Sequence, residues 1–207
     1  MPPAPIVAID PHYPQPRLVE RAVQTLASGG LVAFPTDTYY GIGCDLFDKR
    51  AIERIYQLKQ LPKSHELSFI CADMAEVSRY AIVDNSAYRV LRRKAPGPFT
   101  FVLPATKLVP DLVLRRQKTV GIRLPDSAIA LALVHKLAHP VISTSAATPG
   151  GEVLIDARDI KEQLGHGLDL ILDGGYQANV PSSIIDLTGP EPVVVRQGKG
   201  DCSDLVE

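Results

Sequence analysis

Hydrophobic positions fall into short runs separated by proline, glycine and charged residues, and their spacing alternates between two periods. Residues 31–34 are apolar without interruption, which predicts a strand buried on both faces. Gly29 and Gly30 precede that run, and Pro35, unable to donate to a ladder, ends it. Residues 16–28 predict a helix with Leu18, Ala22, Val23 and Leu26 on one face and Gly29 as its stop. Asp48 caps a second helix that turns Ile52, Ile55 and Leu58 inward and runs out near Pro62, with Lys59 and Lys63 flanking its end. A short strand over 67–71 follows, then a capping box from Asp73 to Glu76. Asp84 or Asn85 opens a helix with Tyr88 and Leu91 inward and Arg89, Arg92 and Arg93 outward, broken by Pro96-Gly97-Pro98.

Further strands are expected over 99–103, 119–124, 141–145 and 168–172, with helices from Asp126 to about residue 137 and over 156–164. Residues 183–187 and 193–196 close as a β-pair, and 109–114 fits neither period. Residues 2–9 read as an edge strand or a loose end, and the tail after Gly198 as poorly ordered. Helices and strands alternate first and strands predominate later, so the fold class is α/β (α+β) with a mixed sheet. One domain is expected over 14–200, preceded by an N-terminal segment 1–13 and followed by a C-terminal tail 201–207.

Composition narrows the function classes. A 207-residue chain that is 45% hydrophobic and 22% charged can bury a sizeable core. Eighteen prolines imply abrupt element ends. No apolar run approaches the length of a membrane span, and residues 1–9 lack the pattern of a secretory leader. Cys44, Cys71 and Cys202 are odd in number, far apart and without a CxxC pair, which argues against a disulfide scaffold or structural zinc and for a reducing cytoplasm. The net charge of −1 hides a segment, 79–123, with ten basic and two acidic residues. Such a block suits an anionic partner, nucleotide phosphate or RNA, although a solvated basic face would look the same.

Polar groups recur just past apolar runs: Thr36 and Thr38, Thr100, Arg123, Ser143 and Ser145, and Arg196. If those strands are neighbours, hydroxyls and guanidiniums from distant parts of the chain converge on one rim beyond the strand ends. Arginine there can hold a carboxylate or phosphate bidentately, and hydroxyls both donate and accept. The turn Thr36-Asp37-Thr38-Tyr39-Tyr40 is dense in such groups, though a capped turn of no functional consequence has the same composition. His135 and His139 have a metal-ligating spacing but no third ligand; no Walker, G-x-G-x-x-G or nucleophile-elbow pattern occurs; His65 and Cys44 carry no motif.

The order and spacing of several short motifs resemble the YrdC/YciO family along nearly the whole chain. They are Phe34-Pro35-Thr36-Asp37-Thr38-Tyr39-Tyr40-Gly41, Ala51-Ile52-Glu53-Arg54-Ile55 leading to Lys59, Pro96-Gly97-Pro98-Phe99-Thr100, Gly121-Ile122-Arg123-Leu124-Pro125, Ser143-Thr144-Ser145, Ser182-Ser183-Ile184-Ile185-Asp186-Leu187 and Val195-Arg196. The resemblance implies a twisted, mainly parallel sheet with an open, positively charged concave surface. It also implies a nucleotidyltransferase that makes threonylcarbamoyl-AMP from L-threonine, bicarbonate and ATP for tRNA modification, with Mg²⁺ held mainly through ATP. Carried onto this chain, Thr36, Thr38, Tyr40, Thr100, Arg123, Ser143 and Ser183 would form the threonine side, with Arg123 on the carboxylate, and Lys59, Lys63, Ser145 and Arg196 the ATP side. Two positions depart from the catalytic subgroup: Leu61 replaces an arginine two residues after Lys59, and Ala147 an asparagine two residues after Ser145. Both variants resemble the YciO branch, and they point to a weakened activity. The competing expectation is a double-stranded RNA, tRNA or rRNA-binding module without turnover, using Arg92, Arg93, Arg115 and Arg116.

Overall fold

A computed structural model describes residues 3–62, 65–114 and 117–205. Its centre is a ten-stranded sheet. In chain order the strands are β1 (Ile6–Ala8), β2 (Val32–Pro35), β3 (Tyr40–Asp45), β4 (Ser68–Ile70), β5 (Phe99–Pro104), β6 (Thr119–Arg123), β7 (Val141–Ser145), β8 (Leu170–Asp173), β9 (Ser183–Asp186) and β10 (Val193–Arg196). Across the sheet they run β1-β8-β2-β3-β7-β4-β6-β5-β9-β10. Four pairings are parallel and five antiparallel, so the sheet is mixed rather than mainly parallel. One source is local: the turn after Pro35 returns the chain at once as β3 beside β2, a hairpin not anticipated by the expected strand-and-turn.

Among the described residues six α-helices flank the sheet: α1 (Pro16–Ala27), α2 (Lys49–Leu58), α3 (Met74–Tyr80), α4 (Asn85–Lys94), α5 (Ala128–Leu137) and α6 (Ala157–Leu164). Side-chain caps start most of them. Asp48, Asp73 and Asp84 accept the backbone N–H three residues on. Glu76 reaches back to the N–H of Ala72, one residue earlier than in a standard capping box. Helix α5 is capped by Ser127 rather than Asp126, whose own N–H is bonded elsewhere. Helix α1 ends in a Schellman motif: Gly29 takes φ +80°, its N–H donates to Leu26, and Gly30 N–H donates to Thr25.

The period-two alternation of the strands divides the core. Leu31, Ala33, Ile42, Phe69, Ile122, Ile142 and Ile171 face the larger cluster with α2, α3, α4 and α6. Val32, Phe34, Ile70, Val141, Leu170 and Leu172 face the smaller one, which α1 and α5 cover. The run 31–34 is thus buried on both faces, as its lack of alternation requires. On α4 the inward residues are Ala87, Val90 and Leu91. Tyr88 is 48% exposed and so correctly belongs to the outer face with the arginines.

Both ends of the chain join this body. β1 pairs in parallel with β8. The stretch after Gly198, expected to be loose, packs instead: Cys202 is buried, residues 203–205 form a 3-10 turn, and Lys94 binds the Asp201 carbonyl and the Asp204 carboxylate. The three cysteines are free and buried. Among the described residues, no helix is long and apolar enough to cross a membrane.

Close packing of β2, β3 and β7 depends on Gly43. A Cβ there would stand 2.6 Å from Val141 and 2.8 Å from Phe34. Gly43→Ala is expected to cost about 1–3 kcal/mol through overpacking, read as a lower thermal unfolding midpoint; an unchanged midpoint would show that the three strands separate freely.

Candidate functional site

The sheet face covered by α1 and α5 is covered only in part. Ile70 and Val141, paired across β4 and β7, lie under those helices. Two positions along the same face the pair is Ser68 and Ser143, and both line an open hollow of ≈ 470 Å³. The alternation continues with Thr100 on β5, Arg123 on β6, Ser145 on β7 and Ile184 on β9. Lys59 at the end of α2 and Arg196 on β10 complete the wall. The expected convergence therefore occurs, but through one polar half-face of the sheet as well as its strand ends.

Thr36, Tyr40, Lys59, Thr100, Arg123, Ser143, Ser145 and Arg196 are brought together here as expected. Thr38 is not on the wall: it is buried behind Thr36, 3.2 Å between hydroxyls, and braces the turn. The Thr36 hydroxyl also donates to the Tyr39 carbonyl at 2.6 Å. Tyr40 touches the hollow, but its hydroxyl donates to the Gly175 carbonyl at 2.8 Å and accepts from Gly174 N–H. Ser183 faces the opposite side, where its hydroxyl donates to the Gly200 carbonyl and accepts from Gly198 N–H. Its neighbour Ser182 takes the site position. Because Ile185 is fully buried in the main cluster, alternation turns Ser183 inward and Ser182 with Ile184 toward the hollow, a signal already present in the sequence.

Tyr39, Gly41, His65, Glu66, Ser68, Thr144, Ser182 and Ile184 also line the hollow and were not anticipated as site residues. Gly41 is needed for close approach, since a Cβ there would meet the Ser143 hydroxyl at 2.8 Å. Lys63, Arg115 and Arg116 lie outside the described residues. Leu61 packs against the main core and Ala147 makes a β-bridge with Val153; neither lines the hollow. Arg92 and Arg93 line a separate hollow on α4 with Tyr88, Glu191 and Asp204, so that part of the basic segment is not on the concave site.

Among the described residues, three cations face the hollow. Lys59 donates to the Ser145 carbonyl and, at 3.3 Å, to the Thr144 hydroxyl. Burial without a carboxylate pushes its ammonium down from 10.5 to about 8. Arg196 is held by the Ser182 carbonyl at 2.8 Å and the Ser182 hydroxyl at 3.3 Å, and that hydroxyl also bonds Thr100 at 2.8 Å. Arg123 donates from Nη2 to Asp37 Oδ1 at 2.5 Å. Its Nε is one of two buried side-chain polar atoms without a partner among the described residues. Burial lowers the Arg123 pKa while Asp37 raises it. No cluster of three His, Cys, Asp or Glu suitable for a metal occurs among the described residues.

An α/β domain with a half-covered sheet and a cationic, hydroxyl-lined hollow is the class this fold and site define. The profile of the Sua5/YciO/YrdC family, described as "Telomere recombination", matches residues 24–198. The chain belongs to that family. It is 44% identical over 195 residues to the uncharacterized protein YciO of Escherichia coli, covering 93% of this chain and 95% of that one. The E. coli YciO crystal structure superposes with a TM-score of 0.93 at 42% identity over 98% of this chain and all of that one. A threonylcarbamoyl-AMP synthase of Chromobacterium violaceum is 35% identical over 86% of this chain and 92% of that one. The structure of Pyrococcus abyssi Sua5 with L-threonine matches at 31% identity and TM-score 0.88, covering 94% of this chain and 58% of that one.

Lys59 should titrate with a midpoint near about 8, seen by NMR of its side chain and absent in Lys59→Met. The folded chain releases this proton before the unfolded chain does, so the lysine adds stability as pH rises from about 8 toward 10.5. A midpoint near the ordinary lysine value would mean that Lys59 is solvated.

Proposed function

We propose that the protein is a threonylcarbamoyl-AMP synthase-type enzyme, joining L-threonine, bicarbonate and ATP and releasing pyrophosphate. One observation carries this reading: Thr36, Lys59, Thr100, Arg123, Ser143, Ser145 and Arg196, drawn from the turn after β2, the end of α2 and strands β5, β6, β7 and β10, line a single hollow. The relatives named for this activity and the threonine-bound Sua5 structure support the choice of substrate.

In this reading Arg123, a lining residue of the hollow, binds the amino-acid carboxylate through its guanidinium. Thr36 and Ser143 bound the amino-acid side, and Lys59, Ser145 and Arg196 contact the phosphates. The threonine amine attacks the bicarbonate carbon, giving a carbamate and water; a carbamate oxygen then attacks the α-phosphorus of ATP, and pyrophosphate leaves. Little of this needs covalent help from side chains. Acceleration comes from holding the two reactants in line and from cations already placed where charge builds on the phosphates. A phosphate beside Lys59 would favour its charged form and reverse the burial effect. Mg²⁺ enters with ATP as substrate, in keeping with the lack of an acidic cage among the described residues. The RNA-binding alternative rests on charge alone, and Arg123 and Lys94 of the basic segment already pair with Asp37 and Asp204.

Purified protein given L-threonine, bicarbonate and MgATP is expected to form threonylcarbamoyl-AMP and pyrophosphate, and Arg123→Ala to lose most of the rate. No adenylate by mass spectrometry, beside an active relative as control, would sink the proposal. Leu61 and Ala147 lie outside the hollow. Introducing Leu61→Arg with Ala147→Asn is therefore expected to raise the rate, about tenfold or more, only by the longer polar side chains reaching the phosphates from beside it. An unchanged rate would show that these positions do not limit the wild type.

A further inference from the structure

The turn after β2 is tied through Asp37 to Arg123, to the backbone beyond β6 and to the last segment of the chain. Asp37 Oδ1 accepts from Arg123, and its other oxygen accepts the backbone N–H of Asp126 at 3.0 Å. The backbone carbonyl of Asp37 accepts from the Lys199 ammonium. Lys199 lies just past residue 198, where the family match ends. Its segment is held in place by several bonds: Lys199 N–H to the Pro181 carbonyl at 2.7 Å, Ser183 to Gly198 and Gly200, and Lys94 to Asp201 and Asp204. Gly200 lies flat on the Phe99 ring, where a Cβ would stand 2.4 Å away.

We infer that Asp37 is a positioning residue for the substrate-carboxylate site, and that Lys199 locks Asp37 in place from the segment that follows β10. Asp37 occupies one amino group of the Arg123 guanidinium, and Arg123 still lines the hollow with the remaining donors of its fork. It also places a negative charge beside Arg123 where Arg196 opposes the arginine's charge. Without that carboxylate the guanidinium would be buried next to a second cation with nothing to offset their repulsion, and free to turn away from its present position. Lys199 acts one step further out, fixing the backbone of the turn rather than the guanidinium.

The role in catalysis rests on the proposed synthase reading, but the geometry can be tested apart from it. In the full chain, the Arg123 Nε–H resonance, assigned by its loss in Arg123→Lys, should be resolved in the wild type. It should broaden or shift in Asp37→Asn and in Lys199→Met, and return in Lys199→Arg. In assays, Asp37→Asn should raise the KM for L-threonine about tenfold, as for loss of one charge-assisted hydrogen bond, and Lys199→Met a few-fold, with kcat changed much less. Lys136→Met, which breaks the surface pair with Glu20, should leave both readouts as they are. If wild type makes no adenylate, the synthase reading fails while the resonance still decides the positioning role. If Asp37→Asn does not fold, Lys199→Met carries the test. An Arg123 resonance unmoved in Lys199→Met excludes the lock, one unmoved also in Asp37→Asn overturns the proposal, and a fall in kcat at constant KM overturns it equally.

Discussion

A ten-stranded sheet has two wide faces, and only one is fully covered here: α1 and α5 reach across part of the other and stop. Everything at the site follows from that unequal covering. Where the helices lie, the strands present Val32, Phe34, Ile70, Val141 and Leu172. Where they do not, the same face of the sheet presents Ser68, Thr100, Arg123, Ser143 and Ser145, with β4 and β7 contributing to both halves. The change from Ile70 and Val141 to Ser68 and Ser143 takes one pleat, about 7 Å along the strands. An apolar side chain past that border would face water, and a polar one before it would be buried without a partner.

The bare half-face is concave and cationic, and its cations are held in unequal ways. Lys59 and Arg196 are held by carbonyl and hydroxyl oxygens, which fix geometry while leaving the charge uncancelled. Arg123 has a carboxylate partner in Asp37 and keeps a buried Nε without one. Such an arrangement suits an anionic ligand. Hydroxyls of Thr36, Thr100 and Ser182 lie between and behind these charges, already engaged with one another or with backbone. Little reorganisation remains when charge develops, which is the condition for electrostatic catalysis.

Much of this was legible in the residues. The apolar run 31–34, the caps at Asp48, Asp73 and Asp84 and the stop at Gly29 are local signals, and the elements begin and end at or within a few residues of them. Thr36, Lys59, Arg123, Ser143, Ser145 and Arg196 were recognisable as members of one site through their motifs. The errors share a cause. Ser183 enters the site through the family resemblance and Tyr88 the inner face through its apolar ring, whereas the face of each is settled by alternation or helical period relative to a neighbour that must be buried. Thr38 and Tyr40 sit in the right turn, but their hydroxyls are used by neighbouring groups that motif reading does not see.

The chain by itself determined which segments are strands and helices, because period, caps and breakers act over a few residues and leave their mark in order. It also determined the chemical character of the site, since hydroxyls, lysine and arginines are there to be counted. What tertiary structure alone decided is the return of β3 beside β2, the packing of the segment after Gly198 against Phe99, and the pairing of Asp37 with Arg123 across 86 residues. Those depend on which strands become neighbours and on how far two helices reach across a sheet. No local stretch of sequence carries that information, because it is set by burying all the apolar faces at once.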